Sequence, residues 1–194
     1  MTELGLRERS KARRRAAIVR AAFTLFAERG YHATTVADIA EAAEVAPRTI
    51  PLYFASKQDI ALSRFTAFAE RVTEAIRNRA PGQSVLDIVE QELRDEAHTD
   101  EEEIRELARR MFAANPELRA LRAARMTRTI DEAAAAIDHD AGRPVGEIGA
   151  RLAAVAMASI MIELADTRPG PTHSEGLEVA LRFLRAGLDA LPEH

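Results

Sequence analysis

"TVADIAEAAEVAPRTIPLYFASK", residues 35–57, decides how this chain is read. Thr35 and Asp38 have the spacing of a capping box, with aspartate a short second partner. A helix is therefore expected over "VADIAEAA", ending near Ala43. Ala43-Glu44-Val45 then forms a tight turn. Pro47 falls at or near the first position of a third helix, where its missing N–H has no partner to lose. Val36, Ile39, Val45 and Ile50 can face inward, and small Ala40 lets the two helices approach. Two short helices across a three- or four-residue turn meet the requirements of a helix-turn-helix. A generic helical hairpin fits the same apolar pattern.

N-terminal to this stretch, Ile18, Ala21, Ala22, Leu25 and Phe26 recur at three- and four-residue spacing. They predict a first helix from about residue 10 to Arg29, ended by Gly30 in a left-handed conformation. Charge is divided unevenly. Residues 1–57 hold 10 Lys and Arg against 6 Asp and Glu, and residues 58–194 hold 17 against 25. Arg7, Arg9, Lys11, Arg13, Arg14, Arg15 and Arg20 supply most of the excess. A basic arm on an acidic protein fits a local polyanion contact, and fits a solvated terminus equally well.

The run "AAFTLFAERGYHATTVADIAEAAEVAPRTIPLYFASKQDIAL", residues 21–62, resembles the DNA-binding region of the TetR family of bacterial transcriptional repressors. Its markers are "LFAERGYHATTV", "DIAEAAEV" and "YFASK", and the resemblance covers about the first third of the chain. It implies a double-stranded DNA operator, a homodimer and release by a small-molecule inducer of unknown identity. Pro47 to Phe54 would be the recognition helix. Arg48 would offer a bidentate pair to guanine, and Thr49 would meet a thymine methyl or a phosphate. Thr35 and the N–H groups opening the second helix would hold a phosphate. Tyr53 and Lys57 fall where the family often touches the backbone. Arg13, Arg14 and Arg15 would reach an adjacent phosphate or the minor groove. The chain departs from the family at three places: Pro51 replaces a common aromatic, Glu44 a common turn glycine, and Ala46 a Ser or Thr cap.

The fold expected is all-α. Residues 1–56 would form a three-helix DNA-binding domain, with the helix-turn-helix at about 35–54. Residues 57–194 would form a helical ligand-binding and dimerisation domain. Its helices are expected at about 57–79, from Ser84 to about His98, after Asp100, from Asn115-Pro116 to about His139, at 144–166 and at 174–191. Leu152, Val155 and Ile160 make the first of the last two unusually apolar, and Leu177, Leu181 and Leu184 stripe the second. Family resemblance implies that they pair with their twins in a four-helix dimer interface. The other reading has both completing the monomer's core. Phe65, Phe68, Met111, Phe112, Met126 and Met161 can line a ligand cavity, although such residues at helical spacing also make plain core. His98, Arg109 and Glu163 are polar groups able to orient a ligand.

Composition narrows the remaining classes. With 47% apolar and 30% charged residues, the chain reads as globular. It has no cysteine, so disulfide and thiolate chemistry are excluded. "MTELGLRERSKARRR" lacks the apolar core of a signal peptide, and the run Leu152–Ile162 is short for a bilayer. A cytoplasmic protein without a membrane partner is expected. There is no nucleophile elbow, phosphate loop or HExxH, and "DHD" at 138–140 reads as a solvated turn. No enzyme, metal or cofactor is therefore expected. The alternatives to a DNA-binding regulator are a helical protein-interaction adaptor and a helical enzyme of another kind.

Overall fold

The computed structural model describes residues 3–97, 102–168 and 171–190. Within them the chain is helical and has no strand. The helices are α1 (Glu3–Arg29), α2 (Val36–Ala42), a 3₁₀ helix (Pro47–Leu52), α3 (Lys57–Arg77), α4 (Val85–Ala97), α5 (Glu102–Ala114), α6 (Pro116–Arg125), α7 (Thr127–Asp140), α8 (Ile148–Asp166) and α9 (Pro171–Asp189). They divide into two compact units. One comprises residues 1–64 with 101–119, the other residues 65–100 with 120–194.

The first unit is built on α1. Its apolar stripe is buried, with Ile18, Ala22, Phe23 and Phe26 fully so. Two elements cover that stripe: α2, through Ile39 and Ala40, and α5, through Ala108, Met111 and Phe112. Burying each of these large side chains contributes about 1.5–3 kcal/mol. Helix α1 begins near residue 3, not residue 10, so the basic segment is helical. Gly30 has the expected positive φ of 87°, and the Thr35–Asp38 capping box is complete.

The second unit gathers the C-terminal part of α3 with α4, α7, α8 and α9 around a single core. Phe68, Val72, Ile76, Val89, Met157 and Leu181 belong to it. The helix expected over 116–139 is two helices separated at Met126. Met126 is buried in the core, and its N–H turns back to Ala123 O at 3.1 Å. No glycine or proline marks that break. Asp138, fully buried, closes the loop before α8: its Oδ2 accepts from Gly146 N at 2.9 Å and Glu147 N at 3.2 Å. The first residue of "DHD" is thus a buried staple, while His139 is exposed.

Helix α8 changes one expectation. The run Leu152–Ile162 is part of a 19-residue helix that is long and apolar enough to cross a membrane by length and composition. Its buried side, Ala150, Ala154, Met157, Ala158 and Met161, packs within the second unit, where α8 meets α7 and α9.

Candidate nucleic-acid interface

The turn after α2 is a Schellman motif. Glu44 N–H donates to Glu41 O at 3.0 Å, and Val45 N–H to Ala40 O at 2.9 Å. That bonding pattern places the residue after the C-cap in left-handed backbone. Glu44 occupies it, with φ of 54°, the one non-glycine positive φ among the described residues. Helix α7 ends in the same pattern, with Gly142 in that role at φ of 63°.

The segment expected as an α-helical recognition helix is a six-residue 3₁₀ helix, Pro47–Leu52. Its two prolines explain the difference. Neither Pro47 nor Pro51 has an N–H, so an α-helical ladder would be short of donors from the start. The donors that remain reach back three residues: Thr49 N to Ala46 O at 2.8 Å and Tyr53 N to Ile50 O at 3.0 Å. With three residues per turn, side chains i and i+3 eclipse and the helix carries three ridges. Ile50 and half-buried Tyr53 form the inner ridge. Arg48 with Pro51, and Thr49 with Leu52, form the outer ones. Arg48 is exposed, Thr49 half-buried, and Leu52 is 76% exposed. Leu52 is a residue sequence reading passed over, since a leucine there looks like one more core position.

Behind the helix, Phe54 is buried and the Arg15 guanidinium lies over its ring, 5.0 Å from the centroid. This contact ties one arm residue to the base of the recognition segment. Arg13 and Arg14 are exposed on the same α1. The Thr35 hydroxyl and N–H both donate to Asp38 Oδ2, each at 2.7 Å. Those two hydrogen bonds, the side chain's first, hold the Asp38 carboxyl below its ordinary pKa. The donors expected to meet a phosphate at Thr35 are therefore already occupied by a carboxylate.

Lys57, expected at the DNA backbone, is bonded to the turn after α1. Its ammonium donates to Tyr31 O at 2.7 Å and to Thr34 O at 2.8 Å, and lies 4.3 Å from the Tyr31 ring centroid. An ammonium has three donors, and this turn takes two of them. Burial, followed by the Asp59 and Glu117 carboxylates, raises the Tyr31 phenol above its ordinary pKa.

The ligand candidates are divided between the two units. Phe65, Phe68, Met126 and Met161 share the core of the second unit. Met111 and Phe112 belong to the first unit, on the buried face of α5. Arg109 is paired with Glu106 one turn earlier on α5, at 2.7 Å. Glu163 is exposed, and His98 lies outside the described residues. Sequence reading passed over Arg122, which is buried against the Phe65 ring and forms a two-pronged ion pair with Asp166 at 2.7 and 2.8 Å.

Comparison with known proteins bears on this same stretch. A family model described as "Bacterial regulatory proteins, tetR family" matches residues 18–63. The HTH-type transcriptional regulator TcmR of Streptomyces glaucescens is 44% identical over 82 residues, which is 42% of this chain and 36% of TcmR. The fatty acid metabolism regulator protein of Bacillus subtilis is 42% identical over 76 residues, 37% of this chain and 39% of the relative. The chain thus matches little more than a third of each relative's length. Among solved structures, the regulator FadR from Bacillus subtilis in complex with stearoyl-CoA shares the fold with a TM-score of 0.57 at 24% identity, over 89% of this chain and 98% of that one. Residues 18–63, which hold the helix-turn-helix, thus match the tetR family of bacterial regulatory proteins, and most of the chain shares the fold of that FadR.

Proposed function

We propose that this chain is a sequence-specific transcriptional regulator, a repressor that leaves a palindromic operator when a small molecule binds. The observation that carries the reading is the recognition segment: Ile50 and Phe54 are buried beneath it, and exposed Arg48 stands with Thr49 on its outer ridges. Arg48 pairs with a guanine edge, Thr49 and Leu52 meet thymine methyls, and Tyr53 with Arg13, Arg14 and Arg15 contacts phosphates. Thr35 and Lys57 act mainly by holding the backbone beside that segment, and Lys57 adds positive charge near the duplex.

The partner is a second copy of the chain. Ile148, Leu152 and Val155 on α8, with Val179 and Phe183 on α9, are 40–70% exposed. Spacings of three and four residues put each set on one helix face. For the inducer, Phe65, Phe68 and Met126 offer an apolar lining in the second unit. Long-chain acyl-CoA is the first class to test, because the FadR of similar fold was solved with stearoyl-CoA. The helix α3 carries residues of both units, which makes it the natural lever between ligand and DNA.

Selection of bound duplexes from random DNA tests the reading. It should enrich a palindrome whose half-sites lie about one helical turn apart. Arg48→Ala should weaken the enriched site by about 1–3 kcal/mol and relax preference at one base pair per half-site. A pool with no enriched sequence would leave the adaptor reading in its place.

A further inference from the structure

Asn115 looks in sequence like the cap of α6, and its backbone carbonyl does accept from Leu118 N–H at 3.0 Å. Its side chain does something else. Nδ2 donates to Met111 O at 2.7 Å, at the end of α5, and to Phe26 O at 2.9 Å, in the last turn of α1. Oδ1 accepts the N–H of Tyr31 at 2.7 Å, across 84 residues of sequence. The residue is 2% exposed. Both amide donors and the amide oxygen therefore have partners. The network also fixes the orientation of the amide, because exchanging its oxygen and nitrogen would oppose donor to donor and acceptor to acceptor.

Tyr31 opens the turn between α1 and α2. Lys57 grips the same turn at Tyr31 O and Thr34 O. Thr34 Oγ1 closes it on Gly30 O at 2.9 Å. Side chains from two distant positions therefore hold the few residues that set how α2 and the 3₁₀ helix stand on α1. Buried polar networks with every member satisfied restrict a structure to one arrangement.

We propose that Asn115 is a positioning residue for DNA recognition: its carboxamide fixes the α1–α2 turn and so the angle at which the helix-turn-helix presents Arg48 and Thr49. This rests on the operator reading above. Asn115 touches no DNA. It acts on base readout, which demands exact placement, and leaves phosphate attraction, which tolerates displacement, nearly unchanged.

The test uses the full chain, an operator found by selection and a random duplex of equal length. Asn115→Leu keeps approximate volume and removes all three side-chain bonds. It should weaken the operator about ten-fold or more while random DNA changes less than about two-fold, with the salt dependence on random DNA unaltered. Amide exchange at Tyr31 should quicken in the same variant. Lys57→Met is the second variant, used if Asn115→Leu does not fold; it loosens the turn from the other side and should likewise lower the ratio of operator to random affinity. A folded Asn115→Leu protein with wild-type discrimination, or equal losses on both duplexes, overturns the proposal, as does undiminished discrimination in Lys57→Met when that variant is the one in use. Wild-type protein that prefers no sequence defeats the operator reading itself and the proposal with it. Wild-type discrimination without an effect of the variants defeats the proposal alone.

Discussion

Glu44 holds a backbone conformation that an L side chain adopts at a cost of about 1–2 kcal/mol, while glycine adopts it freely. The chain places glycine at the equivalent position after α7 and glutamate after α2. Glu44→Gly should therefore stabilise the fold by about 1 kcal/mol, part of the relief being offset by the entropy of a more flexible unfolded chain. For a protein of this size that is a rise in Tm of about 2–4 °C. An unchanged or lower urea midpoint would mean that the turn carries no strain. Nearby, Asp38 gives a test by pH. Its folded pKa lies below the ordinary value, and hydrogen bonds from Thr35 are the main cause. A depressed carboxylate contributes stability that is present at neutral pH and lost as pH falls through the folded value. Asp38→Asn should be less stable than wild type at pH 7, and the difference should begin to shrink only below about pH 4, closing as pH falls through the lower folded value. Parallel urea midpoints from pH 7 to pH 3 would count against the carboxylate as the source.

At the level of elements, signals that act over three or four residues were legible. The Thr35–Asp38 box forms as spaced, Ser84 caps the helix it was expected to start, and Gly30 ends α1. What escaped depends on partners far along the chain. Met126 breaks a helix without glycine or proline because its side chain is drawn into a core built from α3, α4, α7, α8 and α9. The 3₁₀ winding was half visible: the prolines were evident, but that the remaining donors would reach back three residues was not. Asn115 resembled a cap and Lys57 a phosphate contact, since nothing near either in sequence announces a bond to residue 31. Asp138 is a third case, a loop aspartate by sequence and a buried acceptor in the fold. Asp138→Ala would strand the N–H groups of Gly146 and Glu147 at the start of α8, a loss of about 2–3 kcal/mol. Chemical denaturation measures it directly, and a loss under about half that figure would show that solvent replaces the carboxylate.

For the whole molecule, the question is what covers the exposed faces of α8 and α9. Phe183 is 66% exposed and Leu152 62%, beside Ile148 at 70%. Scattered apolar residues on a surface need no explanation, but large ones repeated at helical spacing on both helices form a patch of the kind that marks an interaction site. A second copy accounts for the patch and for the DNA reading together. One six-residue recognition segment makes few base contacts, whereas two held at fixed separation bind as one ligand, with a gain of about 10²–10⁴ over the single module. Phe183→Glu places a charge where a copy would pack, and its exposure in the single chain leaves the monomer's core untouched. The variant should sediment as a folded monomer at micromolar concentration, with the helical content of wild type. It should bind a full palindrome no better than a half-site, while its half-site affinity stays within about two-fold of wild type. Retained dimer and retained palindrome affinity in this variant would move the interface elsewhere on the molecule. A monomer that still distinguishes palindrome from half-site would break the link between assembly and recognition.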